Sequence, residues 1–187
     1  MTEPRLDPTE LPPVPAGAVR TPIAPAFAGS SVVAVDGPPA EAPERLLVVP
    51  VLDADGSEPR FLLVRWADWP QPTMLSMPPP AAHDTLDEAV TALLVARLGL
   101  QPSGPARVST HRVPVRMDAP RLGFTGTGWL RAVVVPVVGE ADEAQCDSLL
   151  EGAEAFSLEA GTAALSTEVE RMLLRSAAEL AAERASG

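Results

Sequence analysis

The placement of proline most strongly constrains what this chain can fold into. Of its 22 prolines, the first ten all precede residue 45, at Pro4, Pro8, Pro12, Pro13, Pro15, Pro22, Pro25, Pro38, Pro39 and Pro43. Closely spaced prolines interrupt helices and remove hydrogen-bond donors from strands. We therefore predict a Pro-rich flexible arm and linker over residues 1–44, with at most one short strand at 31–35. A single folded domain is expected over residues 45–187.

Composition narrows the class of protein further. The chain has 187 residues and a mass of 19.5 kDa, which suits one domain with its own hydrophobic core. A formal net charge of -11 argues against general nucleic-acid binding, which needs a positive surface. The single cysteine excludes an internal disulfide. No apolar run approaches the roughly 18 residues of a membrane span, so we expect a cytoplasmic protein.

Strand patterns begin directly after the Pro-rich segment. The predicted strands are 46–52, 61–66, 108–117 and 128–138, with a last short one at 156–158. The first two are expected to form a hairpin, and Pro50 predicts a bulge or an edge in the first of them. A Pro-rich loop is expected over residues 68–80, and a short helix or turn within the acidic stretch 140–154.

Two helices carry the start and stop signals of well-defined elements. Thr85 with Glu88 predicts a capping box, and Gly99 occupies the usual C-terminal glycine position. The buried stripe of this helix is predicted to be Leu86, Val90, Leu93, Leu94 and Leu98. Thr167 with Glu170 predicts a second capping box, for a helix over about 167–184. Its predicted stripe is Val169, Met172, Leu173, Ala177 and Leu180.

The order of these elements and the residues between 78 and 100 resemble the Nudix hydrolase family. The family signature G-x5-E-x7-R-E-U-x-E-E-x-G-U, with U a bulky aliphatic residue, aligns without a gap from Pro78 to Leu100. Asp84 then lies at the first glutamate position, Leu94 at the first U and Gly99 at the final glycine. The resemblance implies an α/β fold, a Nudix-like α/β/α sandwich around a mixed β-sheet, preceded by the Pro-rich arm.

The catalytic positions of this signature hold other residues. Pro78 stands where the family has glycine and Ala92 where it has arginine, while Leu93, Ala96 and Arg97 replace three glutamates. In the family these carboxylates hold a divalent metal while water attacks a phosphorus, because Mg²⁺ prefers hard oxygen ligands. The resemblance therefore implies a degenerate box with no confident catalytic residue, and no cofactor is expected.

Other carboxylates could supply a substitute metal site. Asp84, Asp87 and Glu88 lie in the first turn of the box helix, and Glu140 follows the last long strand. Asp84 and Glu88 are also the weak catalytic candidates of an active enzyme, which would need Mg²⁺ or Mn²⁺. The alternative is structural, since acids in a first helical turn satisfy free N–H groups and complement the helix dipole.

A local excess of arginine suggests an anion-binding surface. Residues 106–131 contain Arg107, Arg112, Arg116, Arg121 and Arg131 against Asp118 alone. The planar fork of arginine donates two parallel hydrogen bonds to phosphate. We predict that Arg112 and Arg116 face an anionic ligand and that Trp69, in the Pro-rich loop, contacts it. The alternative is that alternate arginines on a strand simply point to solvent.

Three functions follow from these patterns. The first is a Nudix-fold pseudoenzyme that binds a nucleotide-like ligand or a protein partner, with a homodimer as its candidate assembly. The second is an active pyrophosphohydrolase of nucleoside diphosphate derivatives with a non-canonical metal site. The third is an interaction module that docks through its Pro-rich arm.

Overall fold

The computed structural model describes residues 21–22, 31–34, 42–52, 58–66, 71–119, 124–139 and 150–185. The strands are β1 (Thr21–Pro22), β2 (Ser31–Ala34), β3 (Glu44–Leu52), β4 (Arg60–Trp66), β5 (Leu75–Met77), β6 (Arg107–Val108), β7 (Val113–Ala119), β8 (Phe124–Val137) and β9 (Leu150–Phe156). The helices are α1 (Leu86–Leu98), α2 (Leu158–Ala164) and α3 (Glu168–Ala185).

The described strands form one mixed sheet. Its main path runs β1-β2-β7-β8-β3-β4-β9, while β5 pairs with β3 and β6 pairs with β8. Among the described strands, only β3 and β8 run parallel, in register from Glu44 opposite Trp129 to Leu52 opposite Val137. Parallel pairs are usually covered on both faces, so their strands are continuously apolar. Residues 46–51 are accordingly all buried, and this pair forms the centre of the α/β/α sandwich.

Pro50 lies in a central strand, so the predicted edge or bulge at this residue is wrong. The register of β3 with β8 is continuous through Pro50 opposite Val135. On its other side, β3 pairs with β5 as far as Val48 and with β4 from Val51 onward. The proline therefore falls between two partners, where the missing N–H breaks no ladder pair.

The two predicted capped helices are confirmed. In α1, Val90, Leu94 and Leu98 are buried, while Leu86 and Leu93 are partly buried against the core. In α3 the buried residues include Val169, Leu173, Leu174, Ala177 and Ala181. Met172, which we had placed in that stripe, is 37% exposed. None of the helices in the described part of the chain is long and apolar enough to cross a bilayer.

Short elements account for most differences from the sequence predictions. Strand β5 lies inside the expected loop 68–80 and is a strand because it pairs with β3. The predicted strand over 156–158 is wrong, because β9 ends at Phe156 and Ser157 caps the new helix α2. The predicted strand over 108–117 is divided between β6 and β7.

The N-terminal segment contributes to the sheet. The short strand expected at 31–35 is present as β2 and pairs antiparallel with β7, with Val33 opposite Arg116. Residues 21–22, which we expected within a flexible arm, form β1 and pair with β2. The domain boundary at 44/45 stays a prediction.

Candidate functional site

Helix α1 keeps the local geometry that its sequence dictates. The Thr85 hydroxyl accepts a hydrogen bond from the Glu88 N–H at 3.2 Å, and the Glu88 carboxylate accepts one from the Thr85 N–H at 2.9 Å. The hydrogen bond from the Thr85 backbone, followed by that from its hydroxyl, lowers the pKa of Glu88. Gly99 ends the helix with φ 65°, a left-handed conformation that favours glycine.

The signature positions on α1 present no oxygen ligand. Ala92 and Ala96 are exposed, Arg97 is half-buried, and Leu93 is partly buried against the hydrophobic core. Aliphatic and guanidinium groups cannot coordinate Mg²⁺, which takes oxygen ligands. The residues at these four positions therefore do not fit the metal that the family signature implies.

The acids in the first turn of α1 already have structural partners. Glu88 closes the capping box, and an oxygen of Asp87 accepts a hydrogen bond from the Ala106 N–H at 2.6 Å. Asp84 is exposed, and its own N–H donates to the Ala81 carbonyl at 2.9 Å. Within the described residues, no three His, Cys, Asp or Glu side chains form a group that could hold a metal ion.

Some candidate residues lie outside the described part of the chain. These are Trp69, Arg121 and Glu140. Their assignment as ligand or metal contacts stays a prediction. The other arginines and the box helix can be placed.

A group of charged residues shares one face of the sheet. Residues opposite each other on neighbouring strands point to the same face, as do alternate residues of one strand. Glu44 on β3 is opposite Trp129 on β8, which is in turn opposite Pro114 on β7. Arg112 and Arg116 are each two positions from Pro114, and Arg131 is two positions from Trp129, so all three point to the same face. We call this set the arginine face: Glu44, Arg112, Arg116, Trp129 and Arg131.

Glu44 lies between two of these arginines. One carboxylate oxygen accepts a hydrogen bond from Arg112 Nε at 3.1 Å, and the other lies 3.8 Å from Arg131 Nη1. Arg131 Nε donates to the Ser109 carbonyl at 2.7 Å, which fixes the direction of that side chain. The Glu44 side chain is 19% exposed, so solvent screens this contact less than it would a fully exposed ion pair.

The indole ring of Trp129 packs against the guanidinium of Arg112. The guanidinium carbon of Arg112 lies 4.7 Å from the centroid of the Trp129 ring, which is a cation–π contact. The indole ring and Glu44 together define the orientation of a guanidinium that is itself 37% exposed. Arg112 is thus a positioned cation that an external anion can reach.

Arg116 is buried and incompletely paired. It is only 6% exposed, and its Nη2 atom has no hydrogen-bond partner among the residues that the structure describes. The expectation that strand arginines simply point to solvent therefore does not hold for this residue. A buried cationic donor without a partner is costly, and such groups call for an explanation. The unsatisfied N–H is inaccessible to solvent in this structure, so an anion would contact it only after a side-chain movement.

Arg107 does not belong to this group. Its guanidinium donates to the Leu180 carbonyl at 3.2 Å and to the Glu183 carboxylate at 3.1 Å, both on α3. The predicted cationic segment 106–131 therefore divides between a helix contact and the arginine face. The net charge of residues 106–131 does not indicate which of these arginines contact α3.

The arginine face lies close to the start of the box segment. Strand β5 ends at Met77, which is opposite Leu46 near the beginning of β3. The chain that continues from Met77 into α1 therefore leaves the sheet at the end where Glu44 lies. Neither Glu44 nor Trp129 was predicted from the sequence to belong to a site. Only the parallel register of β3 and β8 brings the two together.

A second buried charge joins α3 to the segment before β5. Glu170 accepts hydrogen bonds from the Thr73 hydroxyl, the Thr167 N–H and hydroxyl, and the Ser166 hydroxyl. Burial nevertheless raises the pKa of Glu170, because desolvation outweighs these bonds. The carboxylate is saturated with protein donors, so we assign it a structural role.

Comparison with known proteins identifies the fold. No protein-family model and no curated protein sequence matches this chain. Among solved structures, a NUDIX hydrolase from Listeria monocytogenes aligns with a TM-score of 0.57 and 11% identity, over 76% of this chain and 96% of that one. An Ap4A hydrolase binary complex from C. elegans aligns with a TM-score of 0.54 and 12% identity, over 75% of this chain and 98% of that one.

A third structure was solved with a ligand. It is the NUDIX domain of Shewanella oneidensis NrtR complexed with ADP ribose, which aligns at a TM-score of 0.50 and 14% identity, over 78% of this chain and 94% of that one. Identities this low establish a shared fold alone. The chain has the Nudix fold, as its element order and the alignment of residues 78–100 predicted.

Proposed function

We propose that this Nudix-fold chain is a pseudoenzyme, which binds a nucleotide-like, phosphate-bearing ligand without hydrolysing it. The observation that carries the proposal is the arginine face, where Arg112 and Arg131 share the Glu44 carboxylate and Arg116 Nη2 is buried without a hydrogen-bond partner among the described residues. The ligand class is supported by the NrtR domain of the same fold, whose structure contains ADP ribose. We expect this function to be exercised in the cytoplasm.

The residues at the box positions of α1 do not fit a catalytic metal. A hydrolase must offset the charge that develops as water attacks a phosphorus, and a divalent metal held by carboxylates supplies that offset. Here the three glutamate positions hold Leu93, Ala96 and Arg97. Asp87 and Glu88 are occupied by backbone donors. These residues support binding without metal-assisted hydrolysis.

Arginines supply the positive charge that a metal would otherwise provide. A phosphate group needs positive charge and several hydrogen-bond donors, and arginine provides both in a fixed plane. Arg112 is the accessible donor, held by Trp129 and Glu44. Arg116 lies four positions from Arg112, about 13 Å along the strand, so Arg112 and Arg131 are the pair that share one anion-binding position at Glu44.

The binding half of the proposal is tested by titrating ADP-ribose into the full chain and into Arg112→Ala. We expect measurable affinity for the wild type and at least about a tenfold loss in the variant, the equivalent of roughly 1.4 kcal/mol. Arg65→Ala is the matched control, since Arg65 forms an exposed ion pair with Glu154 on another part of the sheet. Equal losses in both variants, or none in either, would contradict the assignment.

The catalytic half is tested by measuring turnover of ADP-ribose and Ap4A with Mg²⁺ or Mn²⁺. We expect no turnover above the protein-free rate. The competing hydrolase function predicts metal-dependent turnover that Glu88→Gln abolishes. That variant is a clean test, because glutamine also completes a capping box and should preserve the start of α1.

A further inference from the structure

We infer that Glu44 is a built-in competitor for the ligand at the arginine face. In the structure its carboxylate sits where an incoming phosphate oxygen would sit. The inference rests on the proposed binding function. It adds that one acidic residue, Glu44, sets the affinity of the arginine face for its ligand. Its evidence is the geometry of Glu44 and of its two arginine partners.

The contact to Arg112 uses the atom that a ligand would use. Glu44 accepts from Arg112 Nε, which is one of the N–H groups on the side edge of the guanidinium. Carboxylates and phosphates both bind arginine through pairs of parallel N–H donors. A phosphate that approaches this edge of Arg112 must therefore compete with the Glu44 carboxylate.

The contact to Arg131 follows the same logic. Arg131 Nε is committed to the Ser109 carbonyl, whereas its Nη1 lies 3.8 Å from Glu44. At that distance the pair is held by charge more than by a short hydrogen bond. One carboxylate thus partly neutralises two cations, and a phosphate with two negative charges would satisfy them better.

The Glu44 side chain can leave its arginine partners by a change of rotamer. Glu44 is the first residue of β3, and its side chain is 19% exposed. The start of a strand leaves a side chain more freedom to change rotamer than a buried central position does. Once released, the carboxylate can turn toward water, so the exchange leaves no buried unpaired acid.

The alternative is that Glu44 positions Arg112 for the ligand. The two roles predict opposite results, because a competitor lowers affinity and a positioning group raises it. Glu44→Gln separates them well. The amide oxygen can still accept from Arg112 Nε and keep its orientation, but the competing charge is gone.

The test is titration of inorganic pyrophosphate into the full-length wild type, Glu44→Gln and Glu44→Ala, with circular dichroism to verify folding. We expect about tenfold tighter binding in Glu44→Gln, which is the effect of relieving about 1.4 kcal/mol of competition. Glu154→Gln is the matched control, because it removes one negative charge from the ion pair with Arg65. Any gain in that control measures the change in net charge alone.

A double variant tests whether the effect passes through Arg112. In Glu44→Gln with Arg112→Ala, the gain from removing Glu44 should largely disappear, since the competition occurs at that guanidinium. Unchanged or weaker pyrophosphate binding in a folded Glu44→Gln protein would overturn the inference. So would a gain no larger than that of Glu154→Gln.

Failure of the inference can be distinguished from failure of the proposed function. If the wild type binds pyrophosphate through Arg112 but Glu44→Gln does not tighten binding, only the competitor role is wrong. If neither the wild type nor Glu44→Gln binds pyrophosphate, the binding function itself is wrong. Binding that appears only in Glu44→Gln would support the competitor role directly.

Discussion

At the residue scale, two glutamates at the start of α3 have pKa values that move in opposite directions. Burial raises the pKa of Glu170 above its ordinary value of 4.5. Hydrogen bonds from Arg171 and then from Arg175 lower the pKa of Glu168 below the same value. The two side chains differ in burial and in their partners, which are arginines at Glu168 and neutral hydroxyl and N–H groups at Glu170.

The sign of each contribution to stability follows from linkage. For Glu170 the folded state keeps a proton that the unfolded chain has released, so its contribution is complete below pH 4.5 and is lost as the pH rises through the folded pKa. For Glu168 the contribution is present above pH 4.5 and is lost as the pH falls through the folded pKa.

We expect Glu170→Gln and Glu168→Gln to change the pH dependence of unfolding in opposite senses. Between pH 4 and 7.5, the unfolding free energy of Glu170→Gln should rise relative to wild type. That of Glu168→Gln should fall relative to wild type. Urea denaturation at several pH values provides the measurement. Two differences of the same sign would contradict the assignment of burial as the dominant cause at Glu170.

At the element scale, α1 illustrates which parts of the site could be predicted from sequence. The capping box, the buried Leu94 and the terminal Gly99 depend on neighbours within one or two turns, and the structure confirms all three. Strand β5 and helix α2 were missed, because their short segments carry little periodic signal. Their structure depends on partners distant in the chain.

The arginine face was predictable only in part. A cluster of arginines between residues 106 and 131 is visible in the sequence, and Arg112 and Arg116 were identified from it as ligand candidates. Glu44 could not be included, because its contact with Arg112 spans 68 positions and depends on the parallel pairing of β3 with β8. Such pairings have no local sequence signal.

The partial burial of Leu93 leads to a prediction for α1. Leu94 is fully buried, so Leu94→Ala should lower the unfolding free energy by about 2–5 kcal/mol through lost packing and a residual cavity. Leu93 is only partly buried against the core, so Leu93→Ala should lower the unfolding free energy by clearly less than Leu94→Ala does. Chemical denaturation compares the two. Equal costs would show that Leu93 is as much a core residue as Leu94.

At the scale of the whole molecule, the N-terminal segment completes the sheet beside the arginine face. Strand β2 pairs with β7 and places Val33 opposite Arg116. Without this strand, β7 would become an edge with unpaired backbone groups. The segment therefore contributes both to stability and to the surroundings of a buried cation.

Two truncations separate these contributions from those of the remaining arm. Removing residues 1–36 should lower the thermal midpoint, by about 2–4 °C for each kcal/mol of stability lost. Removing residues 1–18 retains β1 and β2 and should leave the midpoint unchanged, because we predict a flexible arm there. Equal midpoints for both truncations would contradict a stabilising role for β2. If removing residues 1–18 abolishes binding of a partner protein, that result would instead support docking through the arm.

The central claim is that the Nudix fold of this chain binds a phosphate-bearing ligand through arginines in place of a metal. Calorimetric titration of ADP-ribose in the presence of EDTA, repeated with excess Mg²⁺, tests it most directly. The arginine face predicts the same affinity in both titrations, since its one carboxylate, Glu44, is paired with arginines and belongs to no metal-binding group among the described residues. Binding that appears only with Mg²⁺ would contradict the account.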